Sequence, residues 1–155
     1  MLTFGDRVTL HLNGEEVLII PAPPAHTDGD SYVFFTGSDV LHLGDVFRTT
    51  GYPNIDVGNG GTLQGTIDGL RLAQDLAGPD TQIIPGHGVV SDRDGVQELL
   101  DLTLEVRERV SKLVEQGMTL EEVVAAQPTA DLDARWGPRL DRFLPGVYYG
   151  LTGER

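Results

Sequence analysis

The chain has 155 residues and a formal net charge of −13, because 24 acidic side chains outnumber 11 lysines and arginines. With so few cations there is no basic stripe to track a phosphate backbone or an anionic membrane surface, so nucleic acid and membrane are excluded as partners, while the acidic field favours cations. The lack of cysteine removes disulfides, thiolate chemistry and Cys-type zinc sites together.

The length fits a single domain, 1–155, that buries roughly two thirds of the surface of its unfolded chain. No apolar run approaches the ~20 residues of a membrane span. The opening "MLTFGDRVTLHL" lacks the basic and apolar regions of a signal peptide, so a cytoplasmic protein is expected. In chain order, Val8, Leu10 and Leu12 alternate, turn at Asn13-Gly14, and resume as Val17 to Ile20. Asn-Gly between apolar runs signals a tight hairpin, because both positions accept positive φ. "PAPPAH" then forces an extended connection. "SYVFF" and "DVLHL" read as two more strands joined by the turn Thr36-Gly37-Ser38. From Arg48 to Gly61 the chain is rich in turn formers and long for a connector, the kind of loop that carries function.

From Thr62 the period changes: Leu63, Ile67, Leu70, Ala73 and Leu76 recur at helical spacing, and the helix stops near Gly78-Pro79. "TQIIP" reads as a short buried strand. Ser91 is expected to cap a long helix, with Asp94 completing a box, and its apolar stripe runs from Val96 to Val114. Thr119 and Glu122 form a capping box for a short helix ending before Pro128, and Trp136, Phe143 and Tyr148 belong to a last helical segment. Four strands, a helix, a strand and then helices describe an α/β (α+β layered) domain.

Three phrases carry candidate chemistry. "PPAHTDGDSYVFF" holds His26, "VLHLGDVF" holds Asp45 and "IIPGHG" holds His87, each metal-capable side chain lying next to a strand. Imidazole nitrogen and carboxylate oxygen are the donors that zinc-type divalent ions favour. Taken singly each has a bland explanation as a turn or surface residue; jointly they are far more specific. Strand alternation puts Leu41, Leu43 and Asp45 on one side of their strand and Val40 and His42 on the other, so His42 reads as structural. His11, near the first turn, also reads as a non-ligand.

These phrases, with spacings of 19 and 42 residues, resemble the second half of metallo-β-lactamase-fold hydrolases, and the likeness runs from about Leu2 to about Tyr149. The resemblance implies that His26 binds a first metal, Asp45 bridges two metals and His87 binds the second. It implies a divalent metal cofactor, zinc first, with iron or manganese as alternatives, and a metal-activated water that attacks a small-molecule substrate. The family's "HxHxDH" element, which supplies the remaining ligands from the first half, is absent here. The implied fold is therefore half of an αβ/βα sandwich: one mostly antiparallel or mixed sheet with helices on one face and an open apolar face on the other. Such a half is completed by a missing first-half segment or by a homodimer (self-association through the sheet), and the homodimer is the expected state. The loop after Asp45 is placed to line a pocket, with Tyr52, Asn54 and Asp56 as candidate substrate contacts beside a purely structural role. The rival reading is a non-catalytic metal-binding or assembly module that keeps the motifs without the chemistry.

Overall fold

The computed structural model describes residues 5–137 and 142–154. Leu2, where the resemblance begins, and residues 138–141, inside the expected last helical segment, lie outside the described residues. The first two strands, β1 (Val8–Leu12) and β2 (Glu15–Pro21), form the expected hairpin. Asn13 and Gly14 take φ of 52° and 86°, the left-handed pair that a two-residue turn requires. β3 (Ser31–Phe35) and β4 (Val40–Arg48) continue the antiparallel sheet, and β5 (Gln82–His87) joins β4 in parallel, giving the order β1-β2-β3-β4-β5. Both β4 and β5 run further than "DVLHL" and "TQIIP", reaching Arg48 and His87.

A parallel pair needs a crossover, and α1 (Leu63–Leu76) makes it, started by Thr62, whose hydroxyl accepts from Gly65 N at 2.8 Å. The long α2 (Arg93–Val114) is capped by Asp92 and not by Ser91. Ser91 exchanges both backbone bonds with Ile83, at 2.8 and 2.9 Å, and so stays extended as a strand bridge. The next carboxylate along takes the cap, accepting from Gly95 N at 3.0 Å. α3 (Leu120–Ala125) carries both bonds of the Thr119–Glu122 box. Two helices, α4 (Asp133–Trp136) and α5 (Phe143–Thr152), stand where one was expected; α4 ends at Gly137, with φ of 80°.

The ladder pairs separate the two faces of the sheet. Tyr32, Leu41, Leu43 and Ile83 point into the core, where Ile67 and Leu70 of α1, Val96, Leu99 and Val106 of α2, and Phe143 and Val147 of α5 close over them. A fully buried Leu, such as Leu41 or Leu70, stabilises the fold by roughly 1.5–3 kcal/mol. The cross-strand rows Val8–Ile19–Val33–His42–Ile84 and Leu10–Val17–Phe35–Val40 lie on the opposite face. None of these residues belongs to the core cluster under the helices. Among the described residues no helix is long and apolar enough to cross a membrane.

Candidate metal centre

The site forms at one end of β4 and β5. Alternation alone would place Asp45 with Leu41 and Leu43, and here the structure corrects the sequence. Both leucines are fully buried, yet the Asp45 side chain is 42% exposed. Gly44, at φ of 55°, is the cause: the β4–β5 register shifts on either side of it, so the strand turns Asp45 out toward the rim. The His42 ring braces this irregularity, Nδ1 accepting from Gly44 N at 3.0 Å. His42 lies on the open face, in register with Val33 and Ile84, and His11 is a mostly exposed side chain 4.0 Å from Glu16.

His26 sits in the turn between β2 and β3. Asp30 holds that turn, accepting from Thr27 N and Thr27 Oγ1, each at 2.9 Å, while Ala22 N donates to Asp30 O at 2.9 Å. Asp56 N donates to His26 O at 2.9 Å, tying the turn to the long loop. The His26 ring is 16% exposed, and its Nδ1 lies 2.7 Å from Asn54 O. A carbonyl oxygen only accepts, so Nδ1 carries a proton, and in the neutral ring Nε2 keeps its lone pair. That lone pair faces Asp45 Oδ2 at 3.8 Å.

His87 ends β5. Thr49 N donates to its carbonyl at 3.1 Å, and its Nε2 stands 3.1 Å from the other carboxylate oxygen, Asp45 Oδ1. The approach of β5 depends on Gly86, where a Cβ would run into Asp45 Oδ1 and lie 2.7 Å from Gly44 O. The three candidate ligands are therefore brought together, each imidazole on its own oxygen of one carboxylate.

The donor set fits a divalent ion in kind. Two donors on one tetrahedral zinc, at bonds of about 2.0–2.1 Å, are separated by roughly 3.3 Å, and the distances of 3.8 and 3.1 Å bracket that span. In the neutral ring a lone pair facing a carboxylate oxygen is repulsive unless a proton or a metal cation lies between them. In number the donors fall short: among the described residues no three metal-binding side chains enclose one point. The two histidines address different oxygens, so the arrangement is two His–Asp pairs that share one carboxylate.

Beside the centre, the loop after β4 folds back around a cavity of about 510 Å³ lined by Arg48, Tyr52, Asn54, Trp136, Arg142 and Phe143 among others. Two of the three proposed substrate contacts, Tyr52 and Asn54, line it. The Tyr52 ring is buried, stacks on Phe143 at 5.5 Å, and donates its hydroxyl to Asp133 Oδ1 at 2.8 Å. Burial and that carboxylate push the Tyr52 phenol up, so it stays a proton donor. Asp56 does not line the cavity. It caps the 3-10 turn Val57–Asn59 and pairs with Arg142 at 2.6 Å, and the Asn59 amide and Arg142 guanidinium hold its carboxyl below the usual range. Sequence reasoning missed Arg48, Trp136, Arg142 and Phe143. Arg48 was readable as the first residue of a functional loop, but Arg142 reaches Asp56 across 86 positions, which no local spacing reveals.

No family model matches the sequence, and no curated protein matches it. Solved structures do. The inverting sec-alkylsulfatase Pisa1 from Pseudomonas sp. aligns with 100% of this chain and 27% of its own length, at TM-score 0.73 and 16% identity. A metallo-beta-lactamase family protein from Thermus thermophilus aligns over 98% of this chain and 50% of its own, at TM-score 0.70 and 20% identity. A metallo-beta-lactamase from Pontibacter korlensis aligns over 66% and 47%, at TM-score 0.56 and 19% identity. The fold is that of part of a metallo-β-lactamase-like protein, and the chain spans between about a quarter and a half of the structures it matches.

Proposed function

We propose that this chain supplies one half of a metal-dependent hydrolase centre, zinc first among the candidate ions, acting on a small molecule in the cytoplasm. The observation that carries this reading is the placement of His26 and His87 on separate oxygens of Asp45. A divalent ion, when bound, supplies Lewis acidity and makes water a nucleophile at neutral pH. The chain's own part is positional. The Asn54 carbonyl fixes the tautomer that leaves His26 Nε2 free to ligate, as outer-shell partners of metal-binding histidines do. Asp45 presents two oxygens in two directions, and His87, 61% exposed, remains reachable from outside. Each His–Asp pair then holds two donors where catalytic zinc has three protein ligands, and the rest belong to a complementary half carrying an HxHxDH-type element.

Cobalt(II), titrated into the full chain and followed by its visible absorption, tests the ligand set. The wild type should give a saturable spectrum, and His87→Ala should weaken binding by at least about tenfold, or about 1.4 kcal/mol. His42→Ala should leave it unchanged. Equal binding by wild type and His87→Ala would remove His87 from the centre.

The open sheet face favours a second reading, an assembly module that buries this face against a second copy of itself without doing chemistry. Its apolar rows lie outside the helix-covered core, and a patch of that kind marks an association surface. The two readings divide on metal: a working centre retains it through dialysis when completed, and an inert module does not.

A further inference from the structure

We infer that Asn13 is a self-modification site: the Gly14 backbone nitrogen displaces ammonia from its carboxamide, and the isoaspartate that results unfastens the edge strand β1. The inference stands apart from the metal centre and from the hydrolase reading.

The reaction is intramolecular. The deprotonated Gly14 nitrogen attacks Asn13 Cγ and closes a five-membered succinimide, while the side-chain nitrogen leaves as ammonia with the displaced proton. Water then opens the ring at one of its two carbonyls. One opening gives aspartate, and the other gives isoaspartate, with the main chain rerouted through the side chain. One water is consumed and one ammonia released, so no other reagent is needed. A following glycine suits the attack, because no side chain shields its nitrogen.

The structure selects which asparagine reacts. The chain has three, Asn13, Asn54 and Asn59. Asn54 has a buried amide oxygen and is followed by Ile55, whose buried, branched side chain crowds the nitrogen. Asn59 precedes Gly60, but both reacting groups are held: Asn59 Nδ2 donates to Asp56 Oδ2 at 3.1 Å, and Gly60 N donates to Val57 O at 3.3 Å. Asn13 and Gly14 are both exposed, and a Cβ on Gly14 would meet nothing within 4 Å. Among the described residues no backbone bond ties the Gly14 nitrogen. Bringing that nitrogen to Cγ requires the turn to open. β1 is the end strand of the sheet and pairs with β2 alone, so opening at its tip costs little beside global unfolding.

The consequence is local. The turn, with φ of 52° and 86°, closes the hairpin at the Leu12–Glu15 pair. Isoaspartate adds a main-chain carbon inside it, and a two-residue turn cannot keep its register around the extra atom. The product is also a carboxylate next in sequence to Glu15 and Glu16. Glu15 does not swing away, since Gly37 N and Ser38 N donate to it at 3.1 and 2.9 Å. Release of β1 withdraws Val8 and Leu10 from the rows of the open face.

The full chain should be held at physiological temperature and mildly alkaline pH, then mapped by peptide mass spectrometry. The peptide carrying Asn13 should gain the mass that exchange of NH₂ for OH gives and split into two peaks of equal mass. It should convert at least about tenfold faster than the peptide carrying Asn59, the factor expected where two hydrogen bonds must first open. The wild-type Tm should fall as conversion proceeds. Asn13→Gly, which keeps positive φ open to both turn positions, should hold its Tm through the same incubation. Asn13 intact in the folded chain after an incubation that converts it in urea would overturn the inference. So would earlier conversion at Asn59, aspartate as the sole product, a wild-type Tm unmoved by full conversion, or an equal loss of Tm in Asn13→Gly.

Discussion

Asp45 can serve two histidines only because β5 lies directly against it, and at the residue scale Gly86 sets that distance. A methyl group there meets Asp45 Oδ1 and the Gly44 carbonyl, and the second of these is backbone that cannot swing away. Gly86→Ala should therefore push β5 off β4, at a cost of about 1–3 kcal/mol for overpacking. The measurement is a thermal melt, with a fall in Tm of several degrees, together with weaker cobalt uptake. A variant that keeps both Tm and cobalt affinity would show that the close approach is unimportant. The convergence of His26, Asp45 and His87 was legible in the sequence because the phrases around them are distinctive. The direction of Asp45 was not, since alternation assumes a regular strand and Gly44 interrupts it at φ of 55°. The proton on His26 Nδ1 was equally hidden, because its partner is a main-chain oxygen 28 residues away.

At the scale of elements, Arg109 joins α2 to the segment that leads toward the cavity. Its guanidinium donates to both oxygens of Asp131, at 2.5 and 2.8 Å, to Glu105 at 2.6 Å and to Pro128 O at 2.8 Å. Two residues beyond Asp131, Asp133 receives the Tyr52 hydroxyl. The hydrogen bonds from Arg109 hold the Asp131 carboxyl at about 2, below its ordinary 3.8. A carboxyl whose folded value is depressed contributes stability that is complete above its unfolded value. That contribution is lost as pH falls through the folded one, so the window runs from about pH 4 down to about pH 2. Asp131→Asn should flatten the fall of Tm with pH inside that window and leave its slope unchanged at about pH 5–7. An identical slope in both proteins below about pH 4 would show that the pair adds nothing. Elements such as the Asn13-Gly14 hairpin, the α1 stripe and the Thr119 box were legible because each rests on neighbours in sequence. The Ser91 cap was not, because Ile83 occupies the Ser91 backbone from another strand. The division of the last helical segment into α4 and α5 also escaped, although Gly137 marks where α4 ends.

Viewed as a whole molecule, the described helices cover one face of the sheet, and the other carries the largely apolar rows from Val8 to Ile84 and from Leu10 to Val40. The composition alone does not reveal this; β2 and β3 do, since both sets of alternate residues from Val17 to Ile20 and from Tyr32 to Phe35 are hydrophobic, as in a strand buried on both sides. Two copies meeting through this face would bring together two chains of charge −13, so their attraction is apolar and their long-range repulsion is electrostatic. Salt screens the second and leaves the first, so self-association should tighten between low and physiological ionic strength, opposite to an interface built on ion pairs. Sedimentation equilibrium at micromolar concentration should give a mass above one chain that rises with salt. Val33→Asp, placing a carboxylate in the middle of the Val8–Ile84 row and away from the helix-covered core, should return the protein to a single chain while its helical dichroism stays unchanged. A wild-type mass of one chain at every ionic strength would exclude the homodimer. It would leave the complementary first half as the occupant of this face, since an apolar sheet surface with no partner of its own kind must be covered by another to remain in water.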